Sequence, residues 1–413
     1  MILTKRLSAN LAFYNRALVF LFVTLFFVEN VTKYKHAVFY LMILTVIYYL
    51  IKDTKNVLQA LNNKLFYFTL FFSIVTYISI GVSLNPESSL KSINNNFLNY
   101  GVLSLSILFP IVLYKESKTS VATLLILSFS SALIVMLLVE LGSYYVAYEK
   151  GIMPFSNYDF RSVSDSLVFY FPVLLSLWYF LPKPKFIYFY LLAFIFLFVL
   201  LGTLSRGAWV AVAVSAMLFL LFKRPWKLII VTISLILIGL VALKLTMPDM
   251  TKKLFFKLEQ TDSSYRYKNG TQGSAFELIM QKPIVGYGFG DKVYIEKYNS
   301  VVEQYPEWTF RQSIGPHNIW LSTWFSSGIL GLLSFSLLFI SICYYSYRET
   351  RMNNNYKQIY FSGITIFISI IGFYFIRGMF EQVNLKPLGI LIGFLIALMN
   401  SNLDVKNKGI RYE

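Results

Sequence analysis

Four short segments carry the side chains best suited to chemistry in this chain. The first is GTLSRGAWV, which sets Arg206 between two apolar runs. An arginine at membrane depth is costly and marks either a functional site or an anchor. The anchoring alternative is an interfacial side chain that snorkels to water. Its neighbours favour a ligand: Thr203 and Ser205 add hydroxyls, Gly207 permits close backbone approach, and a guanidinium matches phosphate bidentately. The second segment, SSYRYKNGTQG, holds Arg266 and Lys268 among hydroxyls, amides and glycines. A solvated loop would have the same composition. The GYGFG turn that follows could cradle phosphate through backbone N–H groups; it is not a Walker loop, because no GK[ST] follows. The third is GPHN, where His317 opens an apolar run and Asn318 stands beside it as a secondary candidate. A helix N-terminus favours a neutral imidazole, which can act as a base; a satisfied interfacial histidine is the alternative. The fourth is RGMFEQVN, with Arg377 and Glu381 four apart on one helix face, a spacing that suits a structural ion pair. Arg377 is the further secondary candidate. Glu140, near the end of an apolar run, could orient an arginine, and His36, between lysines, reads as structural.

The elements that must position these groups are set by composition. Of 413 residues, 57% are hydrophobic and 14% charged, against about 25% charged in soluble domains. Apolar runs near 12–28, 37–51, 65–82, 97–114, 121–147, 166–181, 186–204, 207–222, 227–244, 319–346, 358–376 and 384–400 predict about twelve membrane-spanning helices. At LGTLSRGAW the chain turns so tightly that a re-entrant bend is an alternative to a full loop. The N-terminal run has no small-residue cleavage site after it and reads as a retained span. The fold class expected is therefore an all-α membrane protein, divided as helices one to nine over 1–245, a large loop over 246–316, and helices ten to twelve with a tail over 317–413. Within the loop, MTKKLFFKLEQ reads as an interfacial amphipathic helix and SAFELIMQKP as a helix stopped by Pro283.

The net charge of +17 has two readings. Nucleic-acid binding needs a soluble basic face or a binding fold, and the sequence has neither. In a membrane protein, Lys and Arg gather in cytoplasmic loops. With both termini placed inside, the short cytoplasmic segments hold nineteen Lys and Arg and the short outer loops eight. The long loop, and with it Arg206, Arg266, His317 and Arg377, then falls on the outer face. One cysteine and two histidines exclude a Cys-based or His-rich metal site within the chain.

On these segments the chain resembles the O-antigen ligases of Gram-negative bacteria, within the wider superfamily of ligases and polymerases of lipid-linked polysaccharides, and it is most similar to the enterobacterial form. The resemblance is carried by SRGAW at a span boundary, by a large loop holding SSYRYKNGTQG and KPIVGYGFG, and by GPHN running into the GILGLL span; KGIMPF, SDSLVFYFP and RGMFEQV add to it. It covers about 140–400 strongly and the first 140 residues loosely. The resemblance implies a GT-C-like helical fold in the inner membrane. It implies a glycosyltransferase that moves a polysaccharide from undecaprenyl diphosphate to lipid A-core at the periplasmic face, with inversion and without cofactor, metal or ATP. On that reading His317 is the general base, Arg206 and Arg266 hold the diphosphate, and the partners are the lipid-linked donor, the lipid A-core acceptor and membrane lipids. Two alternatives stay open: a polymerase using the same donor with a lipid-linked acceptor, and a flippase or other transporter. Transporters often show repeated halves, and no repeat stands out.

Overall fold

The computed structural model describes residues 2–403 apart from 154, 157, 183–184, 225–229, 231–232, 235–236, 240, 242–243, 246–247 and 260–265. The regular elements of the described residues are helices: α1 (Ile2–Leu25), α2 (Thr32–Leu61), α3 (Lys64–Ile78), α4 (Pro86–Phe97), α5 (Val102–Val112), α6 (Lys118–Glu149), α7 (Ser164–Phe180), α8 (Phe186–Gly202), α9 (Arg206–Phe222), α10 (Pro248–Glu259), α11 (Thr271–Gln281), α12 (Asp291–Val301), α13 (Ile319–Met352), α14 (Lys357–Ser369) and α15 (Lys386–Asn400). Among the described residues, seven helical segments are long and apolar enough to cross a membrane, and α8, α9, α15 and 10–25 of α1 are shorter apolar helices. The protein is an all-α membrane protein. Much of the expected span near 227–244 lies outside the described residues.

Most expected spans appear with longer ends. The run 97–114 does not form one helix. It breaks at Leu98–Gly101, where Tyr100 has φ +41° and Gly101 packs so closely that a Cβ would meet the Asn96 carbonyl oxygen at 2.0 Å. Upstream of the break, α4 (PESSLKSINNNF) was not legible as a helix, because Asn and Ser are weak helix formers. Its N-terminus is set by Asn85, whose side chain accepts from the Ser88 N–H, and by Pro86 at the first turn. It buries Ser89, Ile93 and Phe97 and leaves its asparagines to the other side. At α8–α9 the two helices are joined by only Thr203, Leu204 and Ser205. Leu204 takes φ +49° to make the turn.

Small residues bring helices close. Gly389 and Gly393 of α15, spaced four apart, face α5 so tightly that a Cβ at either would lie 2.6 Å from a backbone oxygen of Gly101 or Leu105. This is the small-residue packing used in membranes, where backbone approach replaces hydrophobic drive. Lys118 of α6 pairs with Glu349 of α13 at 3.0 Å, and the Tyr360 hydroxyl of α14 bonds the Phe222 carbonyl of α9 at 3.2 Å. Lys223, Arg348, Arg351 and Lys357 thus gather with Lys118 at the end of the bundle away from His317 and Arg377.

The large loop is folded around its own apolar cluster of Ala275, Leu278, Tyr287, Tyr298, Trp308 and neighbours, which reaches Phe325 on α13. The sequence offers the N–H groups of the GYGFG turn as a phosphate cradle, but its first three are engaged within the protein. Gly286 N–H bonds Lys282, and Tyr287 and Gly288 N–H bond the Phe325 and Ser326 carbonyls at 2.8 and 3.0 Å. The reason is a break in α13 at Ser327–Gly328, which strands carbonyls that would otherwise be paired within the helix. The Pro283 carbonyl in turn accepts from Ile329 N–H and from the Trp324 indole. Gly328 has φ +63°, and a Cβ there would stand 1.9 Å from the Ile284 carbonyl oxygen. Gly328→Ala is expected to cost at least about 1–3 kcal/mol from backbone strain alone and to release the loop. Faster proteolytic cleavage near Ile284 in detergent-solubilised protein, with a lower unfolding temperature, is the measurement; unchanged cleavage would refute the docking role.

Candidate active site

Glu381 is the centre of the site. Its segment follows α14, which continues as a π-helical stretch (Ile370–Ile376) and a 3-10 turn (Arg377–Met379). Such π segments reset the register of a helix and recur at functional sites. The Glu381 carboxylate lies 2.5 Å from His317 Nδ1, 2.8 Å from Arg161, 3.7 Å from Arg266 and 3.8 Å from Arg377. The Glu381 pKa is held down at about 2. Burial alone would raise it, but the His317 hydrogen bond and the charges of Arg377 and Arg161 outweigh that. Ionised, the carboxylate can only accept, so His317 Nδ1 carries the hydrogen of this bond, and Nε2 is the ring nitrogen left for a substrate.

His317 reaches Glu381 because of its backbone. It takes φ +45° after Gly315 (φ +88°) and Pro316, which turns the ring back from α13 toward the 377–381 segment. His317 is half-buried, with 31% of its side chain exposed, so a substrate can reach the ring. Asn318, the secondary candidate, caps α13: its side-chain oxygen accepts from Trp320 and Leu321 N–H at 2.9 and 3.1 Å. The cap fixes the helix start and hence the histidine before it.

Arg377 is the most buried of the cationic side chains here, 5% exposed. It donates to Asp165 at 2.9 Å, to Ser164 at 3.0 Å and to Ser205 at 3.1 Å. The i,i+4 pair expected with Glu381 is therefore its longer contact. Through Ser205 it ties the start of α9 to α7. Arg206 begins α9, and the residues on either side of it touch this network: Ser205 through its hydroxyl, and Gly207 because a Cβ there would meet Phe380 at 2.9 Å and Arg377 Nη1 at 3.0 Å. Arg266 donates to the Phe380 carbonyl and lies over the Phe380 ring, its Cζ 5.6 Å from the centroid. Its pKa is lowered, first by burial and further by Arg161 and Arg377, with Glu381 opposing. Gln272 of α11 joins loop to bundle, donating to the Met379 and His317 carbonyls at 2.8 and 3.2 Å.

The structure thus brings Arg266, His317 and Arg377 around Glu381, with Arg206 at the adjoining helix start. Three guanidiniums converge on one carboxylate, and a second carboxylate, Asp165, sits behind Arg377. The excess positive charge at the N-terminus of α9 suits a multiply charged anion. Glu140 stands apart on α6 and makes no ion pair among the described residues. Sequence reasoning gave Glu381 only a structural role and did not single out Asp165, Arg161 or Gln272. Asp165 and Glu381 both lie in segments that carried the family resemblance, SDSLVFYFP and RGMFEQV. Their partners, 64 to 220 residues away in sequence, could not be read from them.

Comparison with known proteins shows which family the chain resembles. The family model described as O-antigen ligase matches residues 191–336, from within α8 to the middle of α13. An O-antigen ligase of Salmonella typhimurium is 44% identical over 395 residues, covering 94% of this chain and 96% of that protein. An uncharacterized protein of Haemophilus influenzae is 25% identical over 376 residues, covering 86% and 91%.

Proposed function

The chain belongs to the O-antigen ligase family, and from that premise we propose a direct displacement in which a polysaccharide passes from a lipid diphosphate to a sugar hydroxyl of lipid A-core. The single observation that carries the proposal is the Glu381 cluster: a histidine oriented through Nδ1, with its other ring nitrogen directed away from the carboxylate, beside an excess of guanidinium charge.

Arg206 and Arg266 hold the diphosphate. As the bond between the anomeric carbon and the phosphate oxygen breaks, charge grows on that oxygen, and fixed guanidiniums in a low-dielectric site stabilise it. His317 Nε2 takes the proton of the acceptor hydroxyl as its oxygen attacks the anomeric carbon from the opposite face, so the configuration inverts. Glu381 holds the imidazole by its Nδ1–H and balances the charge that the proton brings. Guanidiniums do the work that a metal would otherwise do at the diphosphate, so chelator should leave the rate unchanged. The site faces the periplasm and both termini the cytoplasm, supported by the basic residues at the opposite end of the bundle.

The test is joining of a lipid-linked polysaccharide to rough lipopolysaccharide by purified protein in detergent with EDTA present. A ladder of ligated product is expected; longer lipid-linked chains without transfer to core would mean a polymerase instead. In the same assay Arg206→Lys should fall at least about tenfold in kcat/KM, because a point charge cannot replace a bidentate fork. Full activity would reduce Arg206 to a simple positive charge.

A further inference from the structure

The Glu381 cluster has a neighbour of opposite character. A cavity of about 420 Å³ lies between α4, the start of α12, the first turn of α13 and residues 382–385. It adjoins a second of about 1060 Å³ that runs along α4 toward Tyr40 of α2. The two share Ser92, Asn95 and Asp291, so they form one groove. Its inner end is bound to the catalytic region twice over: Asp165 lines it while pairing with Arg377, and Gln382, next after Glu381, lines it too.

No arginine lines either part. The charged lining groups are four carboxylates, Asp165, Asp291, Glu87 and Glu296, against two lysines on the outer part, Lys91 and Lys292; behind the inner wall Arg377 pairs with Asp165 and the Lys386 ammonium holds Asn95. In a chain of net charge +17 this is a reversal. On the inner walls a diphosphate would meet Asp291, with Arg377 and Lys386 already engaged by Asp165 and Asn95. The remaining walls carry amides and hydroxyls, with aromatic and aliphatic side chains such as Phe289, Tyr40, Leu98 and Leu385 among them. These groups are held in place. The Lys386 ammonium donates to Asn95 Oδ1 at 2.9 Å, which aims the Asn95 NH₂ elsewhere, and Gln382 donates to Asp291 at 2.7 Å across the groove. Fixed amides, carboxylates and aromatic faces are what an uncharged polyol needs, since each hydroxyl both donates and accepts.

We propose that the α4 groove binds uncharged sugar residues next to the reacting one, so that the saccharide lies on Asn95, Asp291 and Gln382 while the diphosphate lies on the arginines. This rests on the ligase reading of the Glu381 site. Two sources share the chemistry, the polysaccharide of the donor and the outer sugars of the acceptor, and the experiment separates them.

The chain has one cysteine, Cys343. In a Cys343→Ser background, Ser92→Cys places a single thiol where the two parts of the groove meet. Labelling by a small maleimide is followed in the full-length protein in detergent, in the presence of four probes: lipid A alone, rough lipopolysaccharide with complete core, undecaprenyl diphosphate, and the same lipid bearing polysaccharide. The sugar-bearing member of one pair should slow labelling about fivefold or more at concentrations several times its Kd, and its sugar-free partner should not; the pair that differs names the source. Equal rates within both pairs, or equal protection by the sugar-free lipids, would overturn the proposal. Labelling needs no turnover, so repeating it with His317→Ala separates this idea from the mechanism: protection retained there stands even if the base assignment fails. If Ser92→Cys does not fold, Ser88→Cys on the outer part of the groove serves. Asn95→Ala gives a second reading, an expected rise of about fivefold or more in KM for the same substrate with kcat held. A fall in kcat alone, with both KM values unchanged, would mean a merely structural asparagine.

Discussion

His317→Ala is expected to lower ligation about 10²–10⁴-fold, the usual contribution of a positioned general base, with the amount of folded protein unchanged. Folding should survive because Glu381 keeps Arg161, Arg266 and Arg377 when the imidazole is removed. The assay is ligated polysaccharide on a gel from a strain lacking its own ligase, beside an immunoblot of the membrane fraction. Normal ladders from a well-expressed variant would sink the base assignment. Glu381→Gln should act on both activity and stability, since it leaves the ring, Arg161 and Arg266 without their anionic partner, while Arg377 keeps Asp165. The sign of its pH dependence follows from the depressed Glu381 pKa of about 2, below the ordinary value of 4.5. Folding favours the charged form, so the stabilisation is fully present above about pH 4.5 and is lost as pH falls toward about 2. The gap in unfolding temperature between the parent and Glu381→Gln should therefore be widest near neutral pH and narrow from about pH 5 to pH 3. A gap that stays constant over that range would mean that the carboxylate charge is not its origin.

Arg377→Ala is expected to abolish activity by a different route. The guanidinium is almost fully buried and bonded to Asp165, Ser164 and Ser205. Removing one partner of a buried ion pair typically costs about 3–5 kcal/mol, because the other charge is left behind, and that is a large part of the stability of most folded proteins. Little folded protein should accumulate in the membrane. The companion test is the double variant Arg377→Met with Asp165→Asn, which removes both charges. It should be more stable than Arg377→Met alone, and the shortfall from additivity measures the coupling. Its ligation should stay low, since Ser205 would no longer be tied to the 377 segment and the start of α9 would lose its position. With Asp165→Asn measured alone to close the cycle, destabilisations of the two single variants that simply add up to that of the double variant would show that Asp165 and Arg377 are not energetically coupled.

The legible part of this protein was the part written in local patterns. Apolar runs of membrane length are visible whatever they pack against, so the spans and the interruption between them could be read directly. Helix stops of the kind made by Pro283, and the amphipathic pattern of 248–259, are equally local. So were the types of the site residues: a guanidinium between apolar runs and a histidine at a helix start are costly enough to draw notice in isolation. The α4 helix escaped because its asparagines and serines are weak helix formers, and the docking of the GYGFG turn escaped because the carbonyls that Tyr287 and Gly288 bond belong to a helix break some 40 residues on.

What the sequence determined alone is therefore an all-α membrane chain with one large folded interruption and a short set of expensive polar side chains. Only the tertiary structure decided which of them meet. Glu381 looked like half of an i,i+4 pair and became the hub between His317 and three arginines, because a π segment, a left-handed histidine and a capped α13 aim them at one point. Charge and residue type are properties of single positions, but the work they do depends on distances across the fold. Those distances are set by long-range packing, which no local pattern encodes.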